Sequence, residues 1–381
     1  MNDPGLPGHW EQEDNSMAAP FFAVIMAGGG GTRLWPLSRQ KRPKQLLPLF
    51  NGRSLFREAV ERLAPLFSVE RILVVTNAAL LSALRKEAPQ LPRANFLCEP
   101  EPRSTAPAIA LATAEIEHRS GSAVMACLTA DHYIAEEARF RAALLAARDV
   151  AQQGYLVTLG IDPTCPETGY GYIERGDLLG RFADFEAHAV AAFREKPSME
   201  AARSYLADGR HSWNSGMFIW KTEDIEAEFR RQLPAAGKAL EEMRSALGTG
   251  QAKRVIERVW ASMPKQSLDY GIMEGAKRTA VISVHGLGWT DVGSWDALLD
   301  LYRSHPELTI PGKPFHLDQD SDGLVVLGQA SDGRLLTTVG LKDLILVETK
   351  DAILVCARGA SQGVRQIVER LAELPGGSKY Q

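Results

Sequence analysis

Four consecutive glycines, Gly28 to Gly31, follow the apolar run Phe21–Ala27 and lead directly into Thr32 and Arg33. Further on, the basic segment Arg42-Pro43-Lys44-Gln45 brings a second cation, Lys44. Glycines let backbone N–H groups close on an anion with no Cβ in the way, and Arg33 and Lys44 add fixed positive charge. The chemistry of such a stretch is phosphate binding. It is not a P-loop, because no Lys-Ser or Lys-Thr follows at the required spacing. It also misses the dinucleotide fingerprint: Gly29, Gly31 and Leu34 occupy the G-x-G-x-x-G offsets, so the third glycine is absent. On the glycines alone, a catalytic loop, a generic nucleotide-binding turn and a structural turn all remain open.

Other chemistry-bearing residues lie far along the chain. Asp131 follows the strand-like run Ala123–Thr129, and Asp291 sits in Trp289-Thr290-Asp291-Val292-Gly293. Each alone reads equally as a helix cap or a turn residue. Together, beside a glycine loop, they suit Mg²⁺, which takes one or two carboxylates and completes its shell with water and phosphate oxygens. Lys196, in Glu195-Lys196-Pro197, reads by itself as a solvated surface lysine. Asn214, in the apolar run Trp213–Trp220, is either a turn former before Gly216 or a ligand for hydroxyl groups. No Ser-His-Asp or Cys-His arrangement stands out, which points away from covalent catalysis.

The elements that must position these groups alternate. Strand-like runs at Phe21–Ala27, Arg71–Thr76, Asn95–Cys98, Ala123–Thr129 and Leu156–Leu159 are separated by helical patterns at Ser54–Phe67, Ala78–Glu87, Thr105–His118 and Glu136–Gln152. This is an α/β fold with a parallel sheet, in which functional groups gather at the carboxyl ends of the strands. After Asp162 comes a Gly/Tyr-rich loop, Glu167–Tyr172, then a strand at Ala187–Phe193. Residues 222–263 read as helical throughout, Ser267–Ala276 as a helix opened by Ser267, Thr279–Val284 as a strand and 295–303 as a helix. Residues 304–320 carry three prolines and read as a linker. Short β runs in 323–357 and a helix at Gln362–Leu374 form a small β-rich unit. The expected division is a disordered tail at 1–20, a catalytic domain at 21–305 and a C-terminal unit at 306–381.

Composition narrows the function. With 45% hydrophobic and 24% charged residues the chain should pack as an ordinary globular protein, and a net charge of −4 argues against nucleic acid as a partner. Cys98, Cys127, Cys165 and Cys356 form no CxxC pair and read as free thiols in a reducing compartment. Cys98 and Cys127 fall at strand positions, as small buried groups would. The first twenty residues lack the apolar core of a signal peptide, and Met17 is an alternative start. No apolar run reaches membrane-spanning length, so a cytoplasmic protein with no membrane partner is expected.

Gly28–Arg39 together with Arg42–Gln45 resembles the signature of sugar-1-phosphate nucleotidyltransferases, a Gly-Gly-x-Gly-Thr-Arg-Leu-x-Pro loop followed by Pro-Lys. Trp35, Ser38-Arg39 and Pro43-Lys44-Gln45 resemble the mannose-1-phosphate guanylyltransferase branch. Similar stretches recur over roughly 21–372: Glu99-Pro100, Thr105–Ala108, Thr129–His132, Thr168–Ile173, Glu195–Pro197, Trp213–Gly216 and Trp289–Trp295. The resemblance implies a Rossmann-like, mostly parallel (GT-A-like) nucleotidyltransferase domain with a small β-helix-like unit behind it. It implies transfer of GMP from GTP to mannose 1-phosphate, giving GDP-mannose and diphosphate with Mg²⁺ as cofactor. By the same resemblance Arg33 would hold the β- and γ-phosphates and Lys44 the α-phosphate. Ala27, Gly28, Gly29, Gly30, Gly31, Thr32 and Ala130 would line the nucleotide, with Glu99 and Thr105 at the base. Asp131 and Asp291 would hold the metal. Gly171, Glu195, Lys196 and Asn214 would take the sugar phosphate. His132, Tyr170 and Tyr172 are expected to pack, and Asp269 and Tyr270 to give structural support.

Two rivals stand beside this reading. One is the same chemistry on another sugar 1-phosphate or nucleotide. The other is a non-catalytic sugar-nucleotide sensor, which would be expected to shed charged site residues, whereas Arg33, Lys44, Asp131, Lys196 and Asp291 are all present. The C-terminal unit reads either as a lid or packing module or as a homodimerisation element. Longer bifunctional relatives add a cupin-type isomerase domain. The chain ends at Gln381, so isomerase activity is not expected.

Overall fold

The first strand, β1 (Phe21–Met26), is buried along almost its whole length, and the sheet is built outward from it in both directions. The computed structural model describes residues 19–29, 31–308, 312, 315–328 and 334–381. The expected tail up to residue 18, Gly30 and part of the expected linker lie outside the described residues. The chain runs β1, α1 (Leu55–Glu61), β2 (Ile72–Asn77), α2 (Ala78–Glu87), β3 (Phe96–Glu99), α3 (Thr105–Ser120) and β4 (Val124–Thr129). All four strands pair in parallel. Ser54 and Asn77 cap the first two helices, their side chains accepting from the backbone N–H groups of Arg57 and Leu80.

Beyond β4 come β5 (Tyr133–Ile134), α4 (Glu137–Gln152), β6 (Leu156–Ile161), β7 (Tyr172–Phe182), β8 (Phe185–Arg194), α5 (Met199–Asp208) and β9 (His211–Lys221). Then follow α6 (Thr222–Gln232), α7 (Pro234–Ala246), α8 (Ala252–Trp260), α9 (Leu268–Gly271), β10 (Thr279–Val284), β11 (Trp289–Thr290) and α10 (Trp295–Ser304). The sheet order is β3-β2-β1-β4-β9-β6-β10-β8-β7. β9 lies antiparallel between β4 and β6, β10 returns parallel to β6, and β8 and β7 form an antiparallel edge. β1, β2, β4 and β6 are near-continuous apolar runs because helices cover both faces. One core holds α1, α2 and α4 to the sheet, and a second holds α3 and α6–α8. The alanine-rich stretch of α3 is buried nearly all round, which small side chains permit between the sheet and α7.

The structure departs from expectation in several places: β7 and β9 are long strands where no strand was expected. Residues 222–263 form three helices, because Pro234 can only open a new one and Gly248 turns the chain at φ +76°. Ser267 does cap a helix, but α9 lasts one turn, and Gly271 and Gly275 sit where a Cβ would collide with Gln266 and Gln232. Cys98 is exposed, since β3 is an edge strand, whereas Cys127 is buried in β4; all four cysteines are free. A strand, β12 (Phe315–Gln319), lies inside the expected linker.

The C-terminal unit continues with β13 (Val325–Gly328), β14 (Leu335–Val339), β15 (Leu344–Glu348), β16 (Ile353–Ala357) and α11 (Val364–Glu373). Phe315 pairs with Leu335 and Val325 with Ile345, both parallel and at the same offset, so the strands stack as a short β coil. This unit is joined to the glycine loop by a third core. Leu34, Trp35, Leu47 and Leu49 pack there with Trp295 and Leu299 of α10, Ile345 and Val347 of β15, and Val364 and Val368 of α11. Among the described residues no helix is long and apolar enough to cross a membrane.

Candidate active site

The glycine loop leaves β1 at a fixed point. The Ala27 N–H donates to Val75 O at 2.9 Å, and Ala27 O accepts from Thr76 Oγ1 at 3.2 Å and Gln45 Nε2 at 3.5 Å. Gly28 and Gly29 then run exposed, with open space where a Cβ would be, and Gly29 takes φ +95°. Gly31 has a different reason to be glycine. It adopts φ +46°, and a Cβ there would lie 2.7 Å from the Lys44 backbone nitrogen. Thr32–Leu34 form a single 3₁₀ turn that buries Leu34 and leaves Arg33 pointing into solvent, with no hydrogen bond or ion pair among the described residues.

Lys44 is only 6% exposed. Its ammonium contacts Asp131 Oδ2 at 2.9 Å and donates to the main-chain carbonyl of Asp291. One cation thus ties the carboxyl end of β4 to the turn after β11. Burial pushes the Asp131 carboxyl up, but Lys44, His132 and Arg33 outweigh it and hold it below the usual carboxylate range. Val292 takes φ +48°, an uncommon conformation for a β-branched residue. Its N–H donates to Thr290 Oγ1 at 3.4 Å in the tight turn that presents Asp291. Gly293 belongs to the same turn, where a Cβ would lie 2.5 Å from Asp291 Oδ1.

Burial drops the His132 pKa to about 4, which keeps the ring neutral, and Trp289 Nε1–H donates to its Nδ1 at 3.1 Å. Tyr170 packs edge-on against Trp213 and Trp289, and its hydroxyl reaches Asp291 Oδ1 at 3.5 Å. Among the described residues no group of three or more His, Cys, Asp or Glu forms a protein-only metal cage. Two oxygen donors, Asp131 and Asp291, beside the glycine loop instead fit a hard cation that draws its other ligands from phosphate and water.

A second cluster forms where β7, β8 and β9 meet. A Cβ on Gly171 would run into Glu195 Oε1 and sit 3.4 Å from Asn214 Cβ, so the glycine admits both side chains. The Asn214 N–H donates to Gly171 O at 2.8 Å, and Asn214 Nδ2 donates to Asp269 Oδ1 at 3.0 Å. Burial, then Asp269, pushes the Glu195 carboxyl up, while Lys196 and Asn214 pull it down. Lys196 is exposed and takes φ +44°. Asp269 is the residue here to which sequence reasoning gave only a supporting role, and it holds the Asn214 amide.

Glu99 ends β3 at 8% exposure, its carboxyl without a hydrogen bond or ion pair among the described residues, and burial lifts that carboxyl to about 7. Thr105 opens α3, its Oγ1 accepting from the Leu268 N–H at 2.8 Å, which leaves the hydroxyl proton free. Ala130 is buried and passes the chain from β4 to Asp131. A cleft of about 410 Å³ runs along Gly28, Gly31, Arg33, Lys44 and Asp131, and α11 closes its far side. A larger hollow of about 920 Å³ adjoins Tyr170 and Thr290. There Asp296 is already bonded to Gly359 and Ser361, and Asp300 to Arg358, so it serves the joint between the two units. Sequence reasoning assigned no role to Gln45, which was visible inside Pro-Lys-Gln, or to Gly293.

A family model described as nucleotidyl transferase matches residues 22–307, and one described as MannoseP isomerase/GMP-like beta-helix domain matches 316–371. The chain is 40% identical to a mannose-1-phosphate guanylyltransferase of Salmonella typhimurium and 39% identical to one of Escherichia coli, in each case over 92% of this chain and 73% of the relative. A solved structure from Thermus thermophilus, described as a mannose-1-phosphate geranyltransferase, superposes with TM-score 0.79 at 36% identity. It covers 92% of this chain and 99% of that one.

Proposed function

The chain belongs to the nucleotidyl transferase family, and from that premise we propose that it is a mannose-1-phosphate guanylyltransferase, moving GMP from GTP to α-D-mannose 1-phosphate. The observation that carries the reading is the junction at Lys44, where one buried ammonium joins Asp131 to Asp291 at the mouth of the glycine loop. A phosphate oxygen of the sugar phosphate attacks the α-phosphorus of GTP, the bond to the β-phosphate oxygen breaks, and diphosphate leaves in line. The nucleophile is already an anion, so no general base is needed. Positioning and charge stabilisation carry the rate.

In this reading the exposed N–H groups of the loop and Arg33 hold the β- and γ-phosphates. Lys44 meets the charge that builds on the α-phosphate. Lys196 holds the incoming phosphate, while Glu195 and Asn214 take sugar hydroxyls, Asp269 orienting the amide. Asp131 and Asp291 would hold Mg²⁺, which would supply charge neutralisation at the substrate phosphates. Glu99 supports the choice of guanine. A buried carboxylate without a partner accepts from both N1–H and N2–H of that base, a donor pair adenine lacks. The four free thiols support a reducing, cytoplasmic setting.

Self-association belongs to the same reading. Phe315 and Leu317 of β12 and Leu335 and Val339 of β14 are exposed on one face of a two-stranded sheet, a patch suited to a second copy. The test of function is GDP-mannose formation from GTP, mannose 1-phosphate and Mg²⁺, resolved by chromatography beside a panel of other nucleotides and sugar phosphates. Turnover of another pair in preference to this one would overturn the assignment.

A further inference from the structure

The wall of the phosphate cleft is completed from the C-terminal unit. Arg365 and Glu369, one turn apart on α11, line the same cleft as Gly28, Arg33 and Lys44. Their helix is not a loose appendage. Val364 and Val368, on its buried face, share a core with Leu34 and Trp35, the two residues that follow Arg33. Before the helix, Ser361 Oγ donates to Asp296 Oδ2 and Gly359 N–H to Asp296 Oδ1. The exposed face of α11 is therefore fixed relative to the loop, and Arg365 lies on it.

We propose that Arg365 is a phosphate-binding residue that takes the terminal phosphates of the triphosphate and the departing diphosphate. The inference rests on the nucleotidyl-transfer reading. The Arg365 side chain is 71% exposed, and its partner is Glu369, itself 59% exposed, at 2.8 Å. A solvated i,i+4 pair is weak and easily exchanged, whereas a guanidinium grips phosphate bidentately. Charge favours the exchange. Lys44 already pairs with Asp131 and the Asp291 carbonyl, and among the described residues Arg33 is the loop cation without a hydrogen bond or ion pair. A triphosphate tail carries more negative charge than one arginine neutralises. Glu369 occupies the guanidinium in the free protein and yields it when phosphate enters.

The test is calorimetric titration of the full chain with inorganic pyrophosphate and Mg²⁺, with KM measured separately for GTP and for mannose 1-phosphate. Arg365→Ala should weaken pyrophosphate binding and raise KM for GTP by about tenfold to a hundredfold, and leave KM for the sugar phosphate within about twofold. Arg365→Lys should recover part of the loss, as a point charge without the fork. Glu369→Gln should tighten pyrophosphate binding a few-fold. Pyrophosphate affinity unchanged in Arg365→Ala, or weakened as much by Glu369→Gln, would overturn the inference. Arg33→Ala in the same titration separates the two levels: if it weakens binding while Arg365→Ala does not, only the role of Arg365 fails. If neither substitution has an effect, the phosphate reading of the cleft fails with it.

Discussion

Gly31 and Lys44 touch backbone to backbone: a Cβ on the glycine would sit 2.7 Å from the lysine nitrogen and 2.9 Å from its Cβ. The glycine loop thus holds Lys44 in place as well as lining a cleft. Gly31→Ala should strain the φ +46° turn and displace Lys44, lowering both Tm and kcat. Gly28→Ala, whose Cβ meets nothing in the protein, should leave Tm unchanged and raise KM for the triphosphate. Thermal melts and steady-state kinetics on the pair check this, and equal Tm values in the two variants would contradict it.

Lys44→Ala and Asp131→Ala should each cut kcat by about 10²–10³, the scale of losing one preorganised electrostatic stabiliser. Asp131→Asn should in addition cost roughly 1–3 kcal/mol of stability, because it leaves a buried ammonium short of a charged partner. The folded-state pKa of Asp131 is depressed. Its contribution to stability is therefore present above the ordinary aspartate value and lost as pH falls through the lower folded value. Denaturant melts between neutral and acid pH should show wild type converging on Asp131→Asn only in strong acid.

Glu99 behaves in the opposite sense. Its folded pKa is raised to about 7, so the fold favours the protonated form. As pH climbs from the ordinary glutamate value towards 7, wild type loses stability from this group. The Tm advantage of Glu99→Gln should widen over that window. With the guanine contact proposed for the Glu99 carboxylate, KM for GTP should fall as pH rises through about 7 in wild type and stay flat in Glu99→Gln.

In the cluster around Asn214, Asp269→Asn should act through Asn214, whose amide it holds at 3.0 Å. KM for mannose 1-phosphate should rise about tenfold, the value of one charge-assisted hydrogen bond, with KM for GTP unchanged. A matching rise for both substrates in initial-rate kinetics would show a general loosening of the fold instead.

Phe315→Glu combined with Leu335→Glu puts like charges opposite each other on the β12–β14 face. Light scattering after size exclusion should then report half the wild-type mass. A wild-type protein already of monomer mass would remove the proposed dimer.

The strands around β1 were legible because a doubly covered strand must be apolar throughout, a demand that leaves a visible run. The glycine loop was legible for a related reason: the backbone conformation at Gly29 and Gly31 tolerates few other residues. Asp269 and Arg365 left no comparable trace. An aspartate after a helix-capping serine and an arginine four residues before a glutamate are ordinary on any solvated surface. β12 was hidden by the prolines around it, and α9 by an apolar spacing that continues past the turn at Gly271.

The chain by itself determined the kind of chemistry, because phosphate needs glycines and cations and those residue types are rare together. It also determined the alternation of strands and helices through β6, since periodicity is a local property. Only the tertiary structure decided which charges meet. Lys44, Asp131 and Asp291 are far apart in sequence, and their contact depends on where β1, β4 and β11 end. The same holds for α11, which a core shared with Leu34 and Trp35 carries back to the glycine loop. Side chains converge through packing between distant segments, and no local pattern records that.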